Sequence, residues 1–226
     1  MNRMSEETRR QACPACLAVH PTLGQHRYGG RPLPCLIWRF GSHRQAISSA
    51  VSGGGLSVVG WILNAQVPSD YRRTDPAAHV AEIAAACGLA GSGAGLLTAC
   101  DVRGYRRASD GEVAADTTVG IAQPIWAAAD TPSGDYRPGT INLVVQLPVR
   151  LSEAALVNAV ATAAEAKAQA LWQARVPGTG TATDAVCVLC RSDGPAESFA
   201  GPRSVWGGRL ARAVYAAVLA GLEVDL

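Results

Sequence analysis

The chain has 226 residues, 48% of them apolar and 17% charged, with a net charge of +2. That length suits a single domain with a sizeable core, and the near-neutral balance, with no basic cluster interleaved with aromatics, argues against a nucleic-acid partner. No apolar run follows the basic residues near the start, so no secretory signal is read there and a cytoplasmic protein is expected.

Residues 1–32 read as a polar lead, partly loose, with the folded body at 33–226. The lead carries Cys13-Pro14-Ala15-Cys16 and then His20 and His26, two thiolates and two imidazoles that could wrap a structural zinc ion. The loop between the pairs is short for a finger, and a flexible tail is the competing reading. The seven cysteines form an odd set with no export signal, which favours free thiols or a metal site over a disulfide framework.

β-favouring runs follow at 33–40, 45–51 and 56–67, with Gly53-Gly54-Gly55 as a turn, and predict an antiparallel meander. Asp75-Pro76 predicts a helix start, Val80, Ile83, Ala84 and Cys87 share one face, and Gly88 ends it. Strands are expected at 95–102, 105–108, 112–121 and 140–148, with Asp110-Gly111 as a hairpin turn. Ser152 caps a long helix ending near Trp172, 185–191 reads as a strand, and 205–222 as a closing helix. Arg209 and Arg212 interrupt that last apolar stretch, so it is no membrane span. Hairpins mixed with helices give an α+β fold: a mixed, largely antiparallel sheet with packed helices in a single domain.

Two motifs fail on context. Gly91-Ser92-Gly93-Ala94-Gly95 has a helix before it and a strand after it, the reverse of a dinucleotide cradle. Cys187 and Cys190 lie in a β-type run, where residues three apart point to opposite faces, so they read as core rather than a metal knuckle.

Polar islands between glycines, embedded in apolar sequence, mark the candidate site: Gly139-Thr140-Ile141-Asn142, Glu165-Ala166-Lys167 and Gly178-Thr179-Gly180-Thr181-Ala182-Thr183-Asp184. Buried hydroxyls, amides and carboxylates need partners, which a ligand can supply. On the long helix the 100° step puts Leu156, Val160, Ala163, Lys167, Ala170 and Leu171 on one side and Asn158, Thr162, Glu165 and Gln169 on the other. Lys167 is thus a charge within the apolar stripe, where it either meets a carboxylate or ligand or snorkels to water. Strand parity pairs Thr140 with Asn142, Asp116 with Thr118, and Asn64 with Gln66 on shared faces. Thr98, Asp101 and the Thr181–Asp184 string add to them.

In order along the chain, Asn64-Ala65-Gln66-Val67-Pro68, Leu97-Thr98-Ala99-Cys100-Asp101-Val102, Thr118-Val119-Gly120, Gly139-Thr140-Ile141-Asn142, Ala155-Leu156-Val157-Asn158, Glu165-Ala166-Lys167 and Gly180-Thr181-Ala182-Thr183-Asp184-Ala185-Val186 resemble the adenosylcobinamide amidohydrolases over roughly residues 45–222. The Cys/His lead is not part of the pattern. The resemblance implies hydrolysis of the amide between the corrin propionyl side chain and aminopropanol, releasing adenosylcobyric acid for cobamide salvage, with complete cobamides as further substrates for some relatives. The cobalt corrinoid would be the small-molecule substrate; no protein cofactor is implied beyond the zinc considered for the lead.

Amide hydrolysis requires a nucleophile, a base or metal to activate it, and donors for the oxyanion. The expected assignment has Asp184 or Glu165 activating water or a threonine hydroxyl, with Thr140, Thr118 and Thr183 as nucleophiles. Lys167 and Asn142 would stabilise the oxyanion or polarise the carbonyl, and Asn64, Gln66, Thr98, Asp101, Asn142 and Thr181 would bind substrate. A corrinoid carrier without chemistry and a zinc amidase built on the lead are the alternatives. Monomer and oligomer are equally open.

Overall fold

The computed structural model describes residues 18–130 and 139–225. Among them β1 (Thr22–Tyr28), β2 (Arg31–Ser48) and β3 (Gly55–Gln66) precede α1 (Pro76–Ala86); β4 (Gly93–Thr98), β5 (Arg106–Asp110), β6 (Val113–Gly120), β7 (Thr140–Gln146) and β8 (Arg150–Leu151) precede α2 (Glu153–Gln173); β9 (Ala185–Arg191), β10 (Ala196–Glu197) and α3 (Val205–Asp225) complete the chain. The main sheet runs β4-β3-β2-β9-β7-β6-β5, with β1 also on β2. The pairs β3/β4, β7/β9 and β8/β10 are parallel and the others antiparallel. The fold is α+β, as the sequence predicts.

The sheet starts before Leu33, because β1 pairs with β2 through a turn at Gly29 and Gly30, both at positive φ. The two runs expected at 33–40 and 45–51 are one strand: β2 advances from Arg39 to Arg44 while β3 moves only from Trp61 to Val59, so the polar Gly41-Ser42-His43 segment is taken up as a bulge. Asp75 makes no side-chain cap on α1, because its carboxylate is held by Arg73 at 2.6 Å. Ser152 does cap α2, accepting from Ala155 N at 3.1 Å. The glycine string before β4 serves packing, since a Cβ at Gly93 would fall within the Trp61 ring.

Alternate strand residues sort to two faces. On one, Ile141, Leu143 and Val145 of β7 with Val188 and Cys190 of β9 are buried against α2 and α3, while Cys35, Ile37 and Leu63 meet Val80 and Ile83 of α1. Burying such a side chain contributes about 1.5–3 kcal/mol. A one-residue slip of β7 would therefore be costly, because it would put Thr140 and Asn142 under the helices. The opposite face buries Leu36, Trp38, Ile62, Leu96, Val144, Cys187 and Leu189 with no α-helix over them, only Val102 of a short 3₁₀ turn. Here the sheet curls over itself: Asn142 of β7 reaches Leu97 O of β4, and Asn64 reaches Thr118, although β2, β9 and β7 lie between β3 and β6. Cys187 and Cys190 fall on opposite faces, as strand parity requires. On α2, Thr162 is buried, contrary to the helix projection, because the segment before α3 covers it and its hydroxyl donates to Ala200 O at 2.9 Å.

Candidate active site

A cleft of about 680 Å³ opens at one end of the curled face. Thr140 and Asn142 of β7 and Leu96–Thr98 of β4 line it, with the segment from Val67 to Arg72 after β3 on one side and Thr183–Ala185 on the other. Strand pleating aims Thr140 and Asn142 at the same space, and both are nearly buried, at 6% and 2% exposure.

Asp184 ties this site together. Its carboxylate pairs with Lys167 Nζ, accepts from Ile141 N at 2.8 Å and Thr181 N at 3.1 Å, and lies 2.5 Å from Thr181 Oγ1. A Cβ at Gly180 would collide with both Asp184 and Lys167, so that glycine leaves the room the ion pair occupies. This set of donors makes Asp184 a clamp that fixes the 181–184 turn to β7, and leaves it poorly placed to act as a base. Thr181 Oγ1 also lies 2.6 Å from Gly139 O. The clamp brings Thr140 Oγ1 and Thr183 Oγ1 to 2.6 Å of each other at the cleft surface, with Thr183 Oγ1 donating to Gly139 O at 3.0 Å.

A ladder of side chains runs beneath. Asn64 Nδ2 donates to Thr118 Oγ1 at 3.0 Å, and Asn142 Nδ2 donates to Asn64 Oδ1 at 2.9 Å and to Leu97 O at 3.0 Å. With both its N–H groups committed, Asn142 is not an oxyanion donor, which corrects that expectation. Thr118 and Asn64 are buried supports below the cleft lining, so Thr118 is no nucleophile.

Thr98 lines the cleft, where its hydroxyl accepts from Cys100 N at 3.2 Å. Three predicted residues stand apart from it. Glu165 is exposed on the side of α2 away from Lys167. Asp101 is bonded to Arg103 and caps the short 3₁₀ turn at Val102–Gly104. Gln66 sits over a neighbouring hollow with Leu33 and Arg103, and its backbone oxygen is taken by His26.

Sequence reasoning missed the far wall. Asp70 and Tyr71 line the cleft, and Asp70 has no ion-pair partner among the described residues. The signal was the polar string Ser69-Asp70-Tyr71-Arg72 directly after the β3 island. Tyr71 Oη lies 3.0 Å from Nδ1 of the buried His79, which anchors the wall to α1. Burial, then the nearby Arg73 charge, lowers the His79 pKa, which favours the neutral imidazole and its acceptor role.

The other end of the curled face is polar too. Asp116 accepts from Trp38 Nε1 at 3.0 Å and pairs with Arg107 at 3.1 Å, and Gln146 takes both Val19 N and Val19 O at 2.8 Å. Burial raises the Asp116 pKa, and the Arg107 charge offsets this only in part.

Of the residues considered for zinc, Cys13 and Cys16 lie outside the described residues. His20 is exposed, whereas His26 is buried on β1 with Nε2 on Gln66 O at 2.8 Å and with Nδ1 unpartnered among the described residues. Among the described residues no three His, Cys, Asp or Glu side chains form a metal cluster, and no helix is long and apolar enough to cross a membrane.

The family model for adenosylcobinamide amidohydrolase matches residues 20–225. The chain is 32% identical over 189 residues to the adenosylcobinamide amidohydrolase of Methanosarcina mazei, covering 80% of this chain and 90% of that one. It is 34% identical over 165 residues to the protein of the same name from Halobacterium salinarum, covering 70% and 71%. The islands that line or support the cleft fall within the residues that the family model matches, and the chain belongs to the adenosylcobinamide amidohydrolase family, hydrolases that act on an amide.

Proposed function

We propose that the protein hydrolyses the aminopropanol amide of adenosylcobinamide to give adenosylcobyric acid, and does so in the cleft over β7. The observation that carries this reading is the Thr140–Thr183 hydroxyl pair at 2.6 Å, held in an otherwise largely apolar cleft by a carboxylate clamp. An apolar hollow with a few converging polar groups suits a corrin rimmed with amides.

In this reading Thr140 Oγ1, or a water seated on the hydroxyl pair, attacks the amide carbonyl. Asp184 and Lys167 position the pair. The proton acceptor is Asp70, the other carboxylate among the lining residues and the one with no cation on it among the described residues. Asp70 returns that proton to the amide nitrogen as the C–N bond breaks, the amine leaves as aminopropanol, and in the threonine route water then releases the acyl group from Thr140.

The test is incubation of the purified protein with adenosylcobinamide, following adenosylcobyric acid and free aminopropanol by mass spectrometry, with a chelator in a parallel sample. Both products are expected, with the chelator making no difference. Tight binding without product would replace the enzyme by a carrier, and loss of activity on chelation that zinc restores would replace this mechanism by a metal-dependent one.

A further inference from the structure

Asn142 is 2% exposed and lines the cleft, and its side-chain oxygen has no donor among the described residues. Its amide cannot be turned over to cure this. The nitrogen faces Leu97 O, a backbone carbonyl that can only accept, and this fixes the orientation of Asn142 and in turn that of Asn64, whose Oδ1 takes the other Asn142 N–H. Reversal would set the Asn142 oxygen against the Leu97 oxygen. Asn142 Oδ1 is therefore presented as a bare, buried acceptor, and such an atom is stabilised when a donor arrives.

Amide and carboxylate differ at this point. A secondary amide offers an N–H, whereas the carboxylate left by hydrolysis offers only lone pairs. We propose that Asn142 Oδ1 is the specificity-determining acceptor for the N–H of the scissile amide, so that the cleft takes up the amide and turns away the acid formed from it. The inference rests on the amidase reading above, which supplies the reacting bond. Asn142 transfers no proton. It holds the nitrogen end of the amide, and Thr140, the next residue on the same face of β7, lies toward the carbonyl end.

The experiment compares binding of adenosylcobyric acid with binding of its primary amide at the same propionate, by absorbance titration against wild type and Asn142→Leu. Taking the ratio of the two affinities removes any effect of a partly unfolded variant. Wild type should favour the amide by about ten-fold or more, the effect expected for leaving a buried acceptor unmet, and Asn142→Leu should bring the ratio to within about three-fold of one. Asn64→Leu, which removes one of the two acceptors orienting Asn142, should give an intermediate ratio.

An equal ratio in wild type and Asn142→Leu would overturn the assignment, even if wild type hydrolyses adenosylcobinamide. A ratio that collapses in the variant while wild type forms no product would keep the acceptor and discard the amidase. If neither corrinoid binds wild type, both readings fall.

Discussion

The curled face of the sheet carries two polar layers at its two ends, built from the same faces of the same strands. Asp116 and Thr118 are two residues apart on β6, and Asn142 and Gln146 four apart on β7. In the layer around Asp116 the chain supplies its own partners: Trp38 and Arg107 meet the carboxylate, and Val19 fills both ends of the Gln146 amide. In the layer around Asn142 the ladder ends at the cleft on an acceptor, Asn142 Oδ1, that has no donor among the described residues. Both layers meet the cost of burying polar groups. The first is closed by the chain's own side chains and backbone; the second keeps an acceptor open at the cleft.

Substitutions can break this comparison or sharpen it. The largest effect is expected for Lys167→Ala, which strands the nearly buried Asp184 carboxylate without its cation. Loss of one partner of a buried pair costs about 3–5 kcal/mol, read as a lower denaturation midpoint, with turnover falling as the 181–184 turn loosens. A midpoint near wild type would mean that the backbone donors alone hold the clamp.

Thr140→Val keeps shape and volume but removes the hydroxyl, and kcat for adenosylcobinamide should fall by about 100-fold or more, with the denaturation midpoint nearly unchanged. Normal kcat would put the chemistry elsewhere in the cleft. Gln146→Leu is the counterpart in the closed layer. It should cost about 1–3 kcal/mol of stability by leaving Val19 N unpartnered, since Val19 O keeps Arg107, while kcat stays within two-fold, and a kcat loss without a stability loss would erase the distinction between the layers.

The smallest effect concerns pH. Burial raises the folded pKa of Asp116 above its unfolded value, so the native state holds the proton more tightly. Its contribution to stability is fully present below the unfolded value, about 3.9, and is lost as pH rises through the higher folded value. The stability of wild type relative to Asp116→Asn should decline across that window in denaturant titrations at stepped pH. A flat difference would show that Arg107 fully offsets the burial.

Strand parity made part of this site legible. The two-residue period alone pairs Thr140 with Asn142, Asp116 with Thr118 and Asn64 with Gln66 on shared strand faces, and it separates Cys187 from Cys190. Parity does not say how a sheet curls, and the curl decides that Asn142 meets Leu97 O while Gln66, on the same strand face as Asn64, ends over a different hollow. Helix phase set Lys167 apart from Glu165 but left Thr162 on the wrong side, because α3 and the segment before it cover more of α2 than one stripe. The Asp75 cap was lost to Arg73, a competition between two side chains that neither residue's propensity reveals.

The place of β9 has a consequence for how the molecule comes into being. This strand lies between β2 and β7, yet it follows α2 in the chain. Until it arrives, β1–β4 and β5–β7 share no ladder, and the seam between them stays an unpaired edge during synthesis. Long-range pairing of this kind is slow and exposes strand edges to aggregation. The clamp residue Asp184 immediately precedes β9, so the strand that completes the sheet also delivers the clamp. A nascent chain that stalls before it would carry neither the seam nor the site.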